Sequence, residues 1–259
     1  MVPERRRHVE FEAAFNFRDL GGYPTAYGGA LRWHTLYRSD TLHRLTDADA
    51  ELFAALGLRT VVDLRSVTEL EDFGALRHSL DDVTWHHLPM LDNVRLAPRE
   101  PTDEPRPEPE TLPPGHNYAH IAAQFSGSIA EVFHVLARPD GLPAVFHCTA
   151  GKDRTGIVAA LVLDVAGVPD DVIAADYVLT ERSHERSTAY IRDHEPEFHA
   201  LLAQVPPERR GVAGDNILGF LEVIRNGHGS AAGFLEHAGV AAEELDTLRG
   251  RLVEHPPGP

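Results

Sequence analysis

Pro143-Ala144-Val145-Phe146-His147-Cys148-Thr149-Ala150-Gly151-Lys152-Asp153-Arg154-Thr155-Gly156 is the stretch that decides the fold. Pro143 to Phe146 form a short apolar run, consistent with a buried strand of a parallel sheet. From Thr155 the pattern turns helical. Ile157, Val158, Leu161, Val162 and Val165 fall at helical spacing, Gly167 supplies a stop, and Pro169 follows it. The segment therefore reads as strand, short Gly-containing loop, helix. Cys148 sits at the strand's C-terminal end with a helix N-terminus aimed at its loop. Free N–H groups and the helix dipole make such a place an anion site, and the same field favours a thiolate over a thiol.

Cys148 is the chain's only cysteine and Lys152 its only lysine; every other basic residue among the 24 Lys+Arg is an arginine. An Arg six positions after a Cys, across a short loop, is what covalent phosphate-ester chemistry requires. The thiolate attacks phosphorus. The backbone N–H groups of Thr149, Ala150, Gly151, Lys152, Asp153 and Arg154 cradle the phosphate oxygens, and the Arg154 guanidinium grips two of them in a planar fork. Thr155 is placed to hydrogen-bond the sulfur and improve it as a leaving group. His147 is placed to orient the loop. The nucleotide-binding pattern Gly-x4-Gly-Lys-Ser/Thr fails here, because Asp153 follows Lys152 and Phe146 stands five positions before Gly151.

The expected reaction has two steps: Cys148 displaces the alcohol or phenol to give a phosphocysteine, and water then hydrolyses it. Three aspartates compete for general acid. Asp153 lies in the loop itself. Asp63 ends a strand expected beside the cysteine strand, with its carboxylate at the carboxyl-end crevice. Asp92 follows another strand. A sulfurtransferase, whose loop also wraps one Cys, and a phosphate-reading module without turnover are the competing classes.

The loop resembles the signature of the bacterial atypical tyrosine/serine protein phosphatases, some of which also hydrolyse phosphoinositides. Three further segments are similar to the same family: Asn16-Phe17-Arg18-Asp19-Leu20-Gly21-Gly22; Tyr37-Arg38-Ser39; and Val61-Val62-Asp63-Leu64-Arg65-Ser66 with Glu69. So is the stretch from Gly233-Phe234-Leu235 through Gly239-Val240 to Leu245 and Leu248. The resemblance implies an α/β, cysteine-dependent-phosphatase-like fold, with a central mostly parallel sheet flanked by helices and a helix-rich C-terminal half. It implies Cys148 and Arg154 as catalytic residues and weights Asp153 and Asp63 above Asp92 as the acid. The substrates it implies are phosphorylated proteins, or phosphorylated small molecules or lipids. No cofactor and no metal are expected. Residues 97–115, where the resemblance lapses, match no pattern of the family.

At 259 residues and 42% hydrophobic content, one phosphatase domain over 1–259 is the simplest count. Residues 98–114 hold seven prolines among acidic residues, which suits a solvated loop or lid at about 97–115 and no regular element. The net charge of −16 argues against nucleic acid and against broad adsorption to anionic membranes. Binding of a phosphate is decided within about 8–10 Å, however, where Lys152, Arg154 and the helix N-terminus dominate. No apolar leader opens the chain, and no run is long enough for integral membrane association. The expected location is cytoplasmic, with non-classical secretion open because relatives use it.

Strands are expected at 31–37, 59–64 and 84–88. Helices are expected at 47–56, 117–137, 155–166, 170–180, 184–203, 214–225, 230–237 and 241–253. His116 and His120 share a helix face but lack the zincin Glu between them, and chance pairs are expected among 16 histidines.

Overall fold

The structure is a computed structural model that describes residues 7–76, 83–91, 112–205 and 211–255. Asp92 and most of the proline-rich segment, residues 97–111, lie outside the described residues.

A five-stranded sheet runs in the order β1-β3-β6-β4-β5, made of Arg18–Asp19 (β1), Leu36–Ser39 (β3), Ala144–His147 (β6), Thr60–Asp63 (β4) and Thr84–His87 (β5). Only β1 is antiparallel to its neighbour; β3, β6, β4 and β5 are mutually parallel. A two-stranded ribbon joins β2 (Ala30–Leu31) to β7 (Val253–Glu254), tying an early segment to a late one. The helices are α1 (Asp47–Ala55), α2 (Val67–Phe73), α3 (His116–Gln124), α4 (Ser126–Ala137), α5 (Asp153–Val165), α6 (Asp170–Val178), α7 (His184–His194), α8 (Pro196–Leu202), α9 (Gly214–His228), α10 (Ala231–His237) and α11 (Ala242–Leu252). The expected mostly parallel α/β fold with a helix-rich C-terminal half is present. None of the described helices is long and apolar enough to cross a membrane.

Successive strand residues point to opposite faces of a sheet, and the core divides accordingly. Leu36, Val62, Ala144 and Phe146 join the larger cluster with α4, α5, α9 and α10. Tyr37, Val61 and Val145 join a smaller one with Phe11, Phe17 and Phe53. With both faces covered, β6 is the apolar central strand its sequence suggests, and every residue of it is buried. The carboxyl ends of β3, β4 and β6 form one edge, and Ser39 and Asp63 flank His147 in register there.

Three expected elements are broken. The strand read over 31–37 is two strands with a turn between them. Leu31 pairs in the ribbon, His34 takes φ 58° with its N–H bound by Asp19 Oδ2 at 2.8 Å, and the chain then enters the main sheet at Leu36. The helix read over 184–203 breaks at Glu195, at φ −135° and ψ 60°. The Pro196 ring disfavours helical backbone just before it, and the Glu195 carboxylate forks onto Arg44 at 2.7 Å from both Nε and Nη2. The helix read over 117–137 breaks at Phe125. A seven-residue helix not expected from periodicity, α2, opens on a capping box: Ser66 caps the Glu69 N–H and Glu69 caps the Ser66 N–H.

Candidate active site

Cys148 follows β6 directly, is buried, and has its sulfur unbridged. Its loop runs to Lys152, after which Asp153 and Arg154 open α5. The loop is held from behind by residues far away in sequence. Asn16 Nδ2 donates to Ala150 O at 3.2 Å and Gly151 O at 3.0 Å. Arg38 Nη2 donates to Gly151 O at 2.8 Å, and the Thr41 N–H to Thr149 O at 3.2 Å. Three loop carbonyls are thus engaged by the scaffold. Gly151 adopts φ +64°, and a Cβ there would lie 2.5 Å from Ser39 O, so only glycine lets the loop pack this closely on β3.

The clamp has its own foundation. Arg18 and Arg38 are buried at 0% and 1% exposure and share Asp176 of α6: Arg18 Nε reaches Oδ1 at 3.0 Å and Arg38 Nη1 reaches Oδ2 at 2.7 Å. Tyr23 OH adds a bond to Oδ1 at 2.9 Å. Burial opposes a charge on Asp176, but the two guanidiniums overcome it and hold the carboxyl well below the usual range. Burial lowers Arg38 to about 10, which leaves it charged at neutral pH. Asp40, next to β3, accepts the N–H groups of Phe15 and Asn16 at 3.0 Å each and so fixes the segment that carries Asn16.

Arg154 is aimed by Glu69. Nη1 donates to Oε2 at 2.5 Å and Nη2 to Oε1 at 2.8 Å, and the Thr149 hydroxyl donates to Oε1 as well. Burial would push the Glu69 carboxyl up, but the Arg154 fork, the Thr149 hydroxyl and the Ser66 N–H hold it at about 2. Burial likewise works against the Arg154 charge, and the facing Cys148 and Glu69 outweigh it and raise the guanidinium above its ordinary value.

The two aspartates weighted for the acid sit very differently. Asp63 is fully buried. Arg65 forks onto it, with Nε 2.9 Å from Oδ1 and Nη2 2.6 Å from Oδ2, and His147 Nε2 stands 3.7 Å from Oδ2. Burial would raise its carboxyl, but His147 and Arg65 hold it at about 2. Burial drives His147 down to about 4, so that ring is neutral at pH 7 beside the Cys148 carbonyl, 3.3 Å from Nδ1. Asp153 is 47% exposed at its side chain, at the first turn of α5. Tyr118 OH donates to its Oδ1, and Lys152 Nζ stands 3.8 Å from the same oxygen. The Thr155 hydroxyl, expected on the sulfur, is buried with no hydrogen-bond partner among the described residues.

Sequence reasoning brought together Cys148, the loop and Arg154. It quoted Asn16, Arg18, Arg38 and Glu69 only within look-alike segments, without roles, and missed Asp176, Tyr118 and Tyr177. One available signal was the Ser66-x-x-Glu69 box, which marks a helix start that places Glu69 beside the loop.

The tyrosine phosphatase family model matches residues 9–254. A tyrosine-protein phosphatase of Nostoc commune is 29% identical over 237 residues, covering 88% of this chain and 78% of the relative. The triple specificity protein phosphatase PtpB of Mycobacterium tuberculosis is 30% identical over 281 residues, covering 94% of this chain and 98% of the relative. A cysteine at a strand end, a loop clamped from behind and an arginine held by a carboxylate therefore sit in a chain that belongs to the tyrosine phosphatase family and is a cysteine-dependent phosphatase.

Proposed function

We propose that the enzyme is a dual-specificity protein phosphatase, one domain over 1–259, with Cys148 as nucleophile, Arg154 as the phosphoryl grip and Asp153 as general acid. The S–P bond forms as the bond from phosphorus to the leaving oxygen breaks, and Asp153 gives that oxygen its proton. Water then attacks the phosphocysteine, Asp153 takes a proton from it, and the thiolate is released. The N–H groups of Thr149 to Arg154 stabilise the equatorial oxygens in both steps. Thr155, with its orphaned hydroxyl, supplies a donor to the departing sulfur.

The observation that carries this reading is the clamped loop. The carbonyls of Ala150 and Gly151 are tied back to Asn16 and Arg38, away from an incoming phosphate. Asp153 is preferred as the acid because it is half-exposed beside the loop, whereas Asp63 is sealed and forked to Arg65, where it positions β4 against His147. Activity beyond phosphotyrosine is supported by that acid, since an alkoxide leaves with more difficulty than a phenolate, and by the triple specificity in the name of one relative. Phosphoinositides fit the added cation Lys152.

The test is hydrolysis of p-nitrophenyl phosphate and of matched phosphotyrosine and phosphoserine peptides by the wild type, Cys148→Ser and Asp153→Asn. Cys148→Ser is expected to lose turnover and still bind phosphate. Asp153→Asn is expected to lose more on phosphoserine than on phosphotyrosine. Near wild-type turnover by Cys148→Ser would sink the covalent route.

A further inference from the structure

Behind Asp153 stands a pair of phenols with no part in the reaction as described so far. Tyr118 on α3 and Tyr177 on α6 bring their hydroxyl oxygens to 2.6 Å, and the Tyr118 hydroxyl also donates to Asp153 Oδ1. The rings are 6% and 1% exposed and meet edge to face, with centroids 6.3 Å apart. Burial, and next the nearby Asp153 charge, push both phenols above their ordinary range, so neither gives up its proton in working conditions. Each therefore has one proton to donate. That of Tyr118 goes to Asp153, so that of Tyr177 must go to Tyr118. The order of donation is fixed as Tyr177 to Tyr118 to Asp153.

Room for this chain is made by Gly156, where a Cβ would lie 2.9 Å from the Tyr177 ring. Lys152 Nζ is near Oδ1 too, at 3.8 Å, so the polar partners that the described residues give this carboxyl meet at one oxygen.

We propose that Tyr118, backed by Tyr177, is a positioning residue for the Asp153 carboxyl: it ties Oδ1 and leaves Oδ2 as the oxygen that carries the proton to the leaving group. This rests on Asp153 being the acid. In the first step the proton sits on Oδ2 while Oδ1 still accepts from Tyr118. As the proton leaves, the Tyr118 bond strengthens, because a hydroxyl donor binds a carboxylate more tightly than a carboxylic acid.

The test compares Tyr118→Phe, Tyr177→Phe, Asp153→Asn and the double variant Tyr118→Phe/Asp153→Asn on p-nitrophenyl phosphate and on a phosphoserine peptide, with kcat and KM determined separately for each. Orthovanadate binding and thermal unfolding confirm that each variant is folded. Tyr118→Phe should lower kcat on the phosphoserine peptide about tenfold and on p-nitrophenyl phosphate less than about twofold, since only the poor leaving group needs the proton. It should leave KM for both substrates within about twofold, because the phosphate-binding groups are untouched. Tyr177→Phe should act in the same direction more weakly, and keeps the test open if Tyr118→Phe unfolds. In the Asp153→Asn background Tyr118→Phe should add nothing. Equal losses on both substrates, a loss carried by KM rather than kcat, or a full further loss in the double variant would overturn the proposal. If Asp153→Asn itself loses equally on both substrates, the acid assignment fails first. If Asp153→Asn discriminates and Tyr118→Phe does not, the role of Tyr118 alone is wrong.

Discussion

Glu69 and Arg154 meet end to end, two oxygens against two terminal guanidinium nitrogens at 2.5 and 2.8 Å, although 85 residues separate them. The contact fixes the plane of the guanidinium, so in the role proposed for Arg154 the fork does not have to be ordered at the moment of binding.

Glu69→Gln should therefore raise KM for phosphate esters and lower kcat/KM by about tenfold or more. It also has a signature in stability. The Glu69 carboxyl is held at about 2 against an ordinary 4.5, so it stabilises the fold fully above 4.5 and the contribution is lost as pH falls towards 2. The stability gap between wild type and Glu69→Gln, followed by chemical denaturation at successive pH values, should narrow across that window. A constant gap would mean that the carboxylate charge is not what matters.

Arg154→Lys should fail nearly as badly as removal of the side chain. An ammonium is a point charge and cannot engage Glu69 and a phosphoryl group in one plane. Steady-state kinetics on p-nitrophenyl phosphate should show a loss well above tenfold, and a smaller one would take the guanidinium off the transferring group.

Asp176→Asn should leave Arg18 and Arg38 buried with their shared counter-charge removed. Breaking one partner out of such a buried set costs about 3–5 kcal/mol. Urea unfolding should show that loss, and any folded fraction should bind orthovanadate weakly, because Arg38 also holds Gly151 O.

Lys152→Ala should depress activity on multiply phosphorylated or lipid substrates more than on phosphotyrosine peptides. The ammonium sits at the end of the loop beside Asp153, where it adds a cation without entering the fork made by Arg154. Parallel assays on a phosphoinositide and a phosphotyrosine peptide that fall together would refute the role in substrate range.

The proposed reactive groups were legible because the chemistry demands them close together in sequence: strand, cysteine, loop and arginine occupy residues 144–154. Their supports were not, because burial of charge leaves no periodic trace. Asn16 and Arg38 reach Gly151 across 135 and 113 residues, and only the folded chain shows that they share one carbonyl. Local signals also misled where tertiary contacts override them. Leu31 and Leu36 look like one strand until His34 turns the chain between two sheets, and residues 184–203 look like one helix until Glu195 is drawn to Arg44. Helix α2 was too short for its periodicity to register, although its capping box was in plain view.

Asp176 and Tyr177 are consecutive in α6: one backs Arg38 behind the loop, and the other backs Tyr118, which holds the aspartate at the loop's exit. Transplanting the ten residues from His147 to Gly156 onto another strand-loop-helix scaffold would carry every reactive atom and neither restraint. Such a graft should bind phosphate loosely and turn over little. To inherit the reactivity it would also have to receive Asn16, Arg38, Glu69, Tyr118 and this pair from α6. For a protein engineer, the portable unit of this enzyme is a three-dimensional shell rather than a peptide.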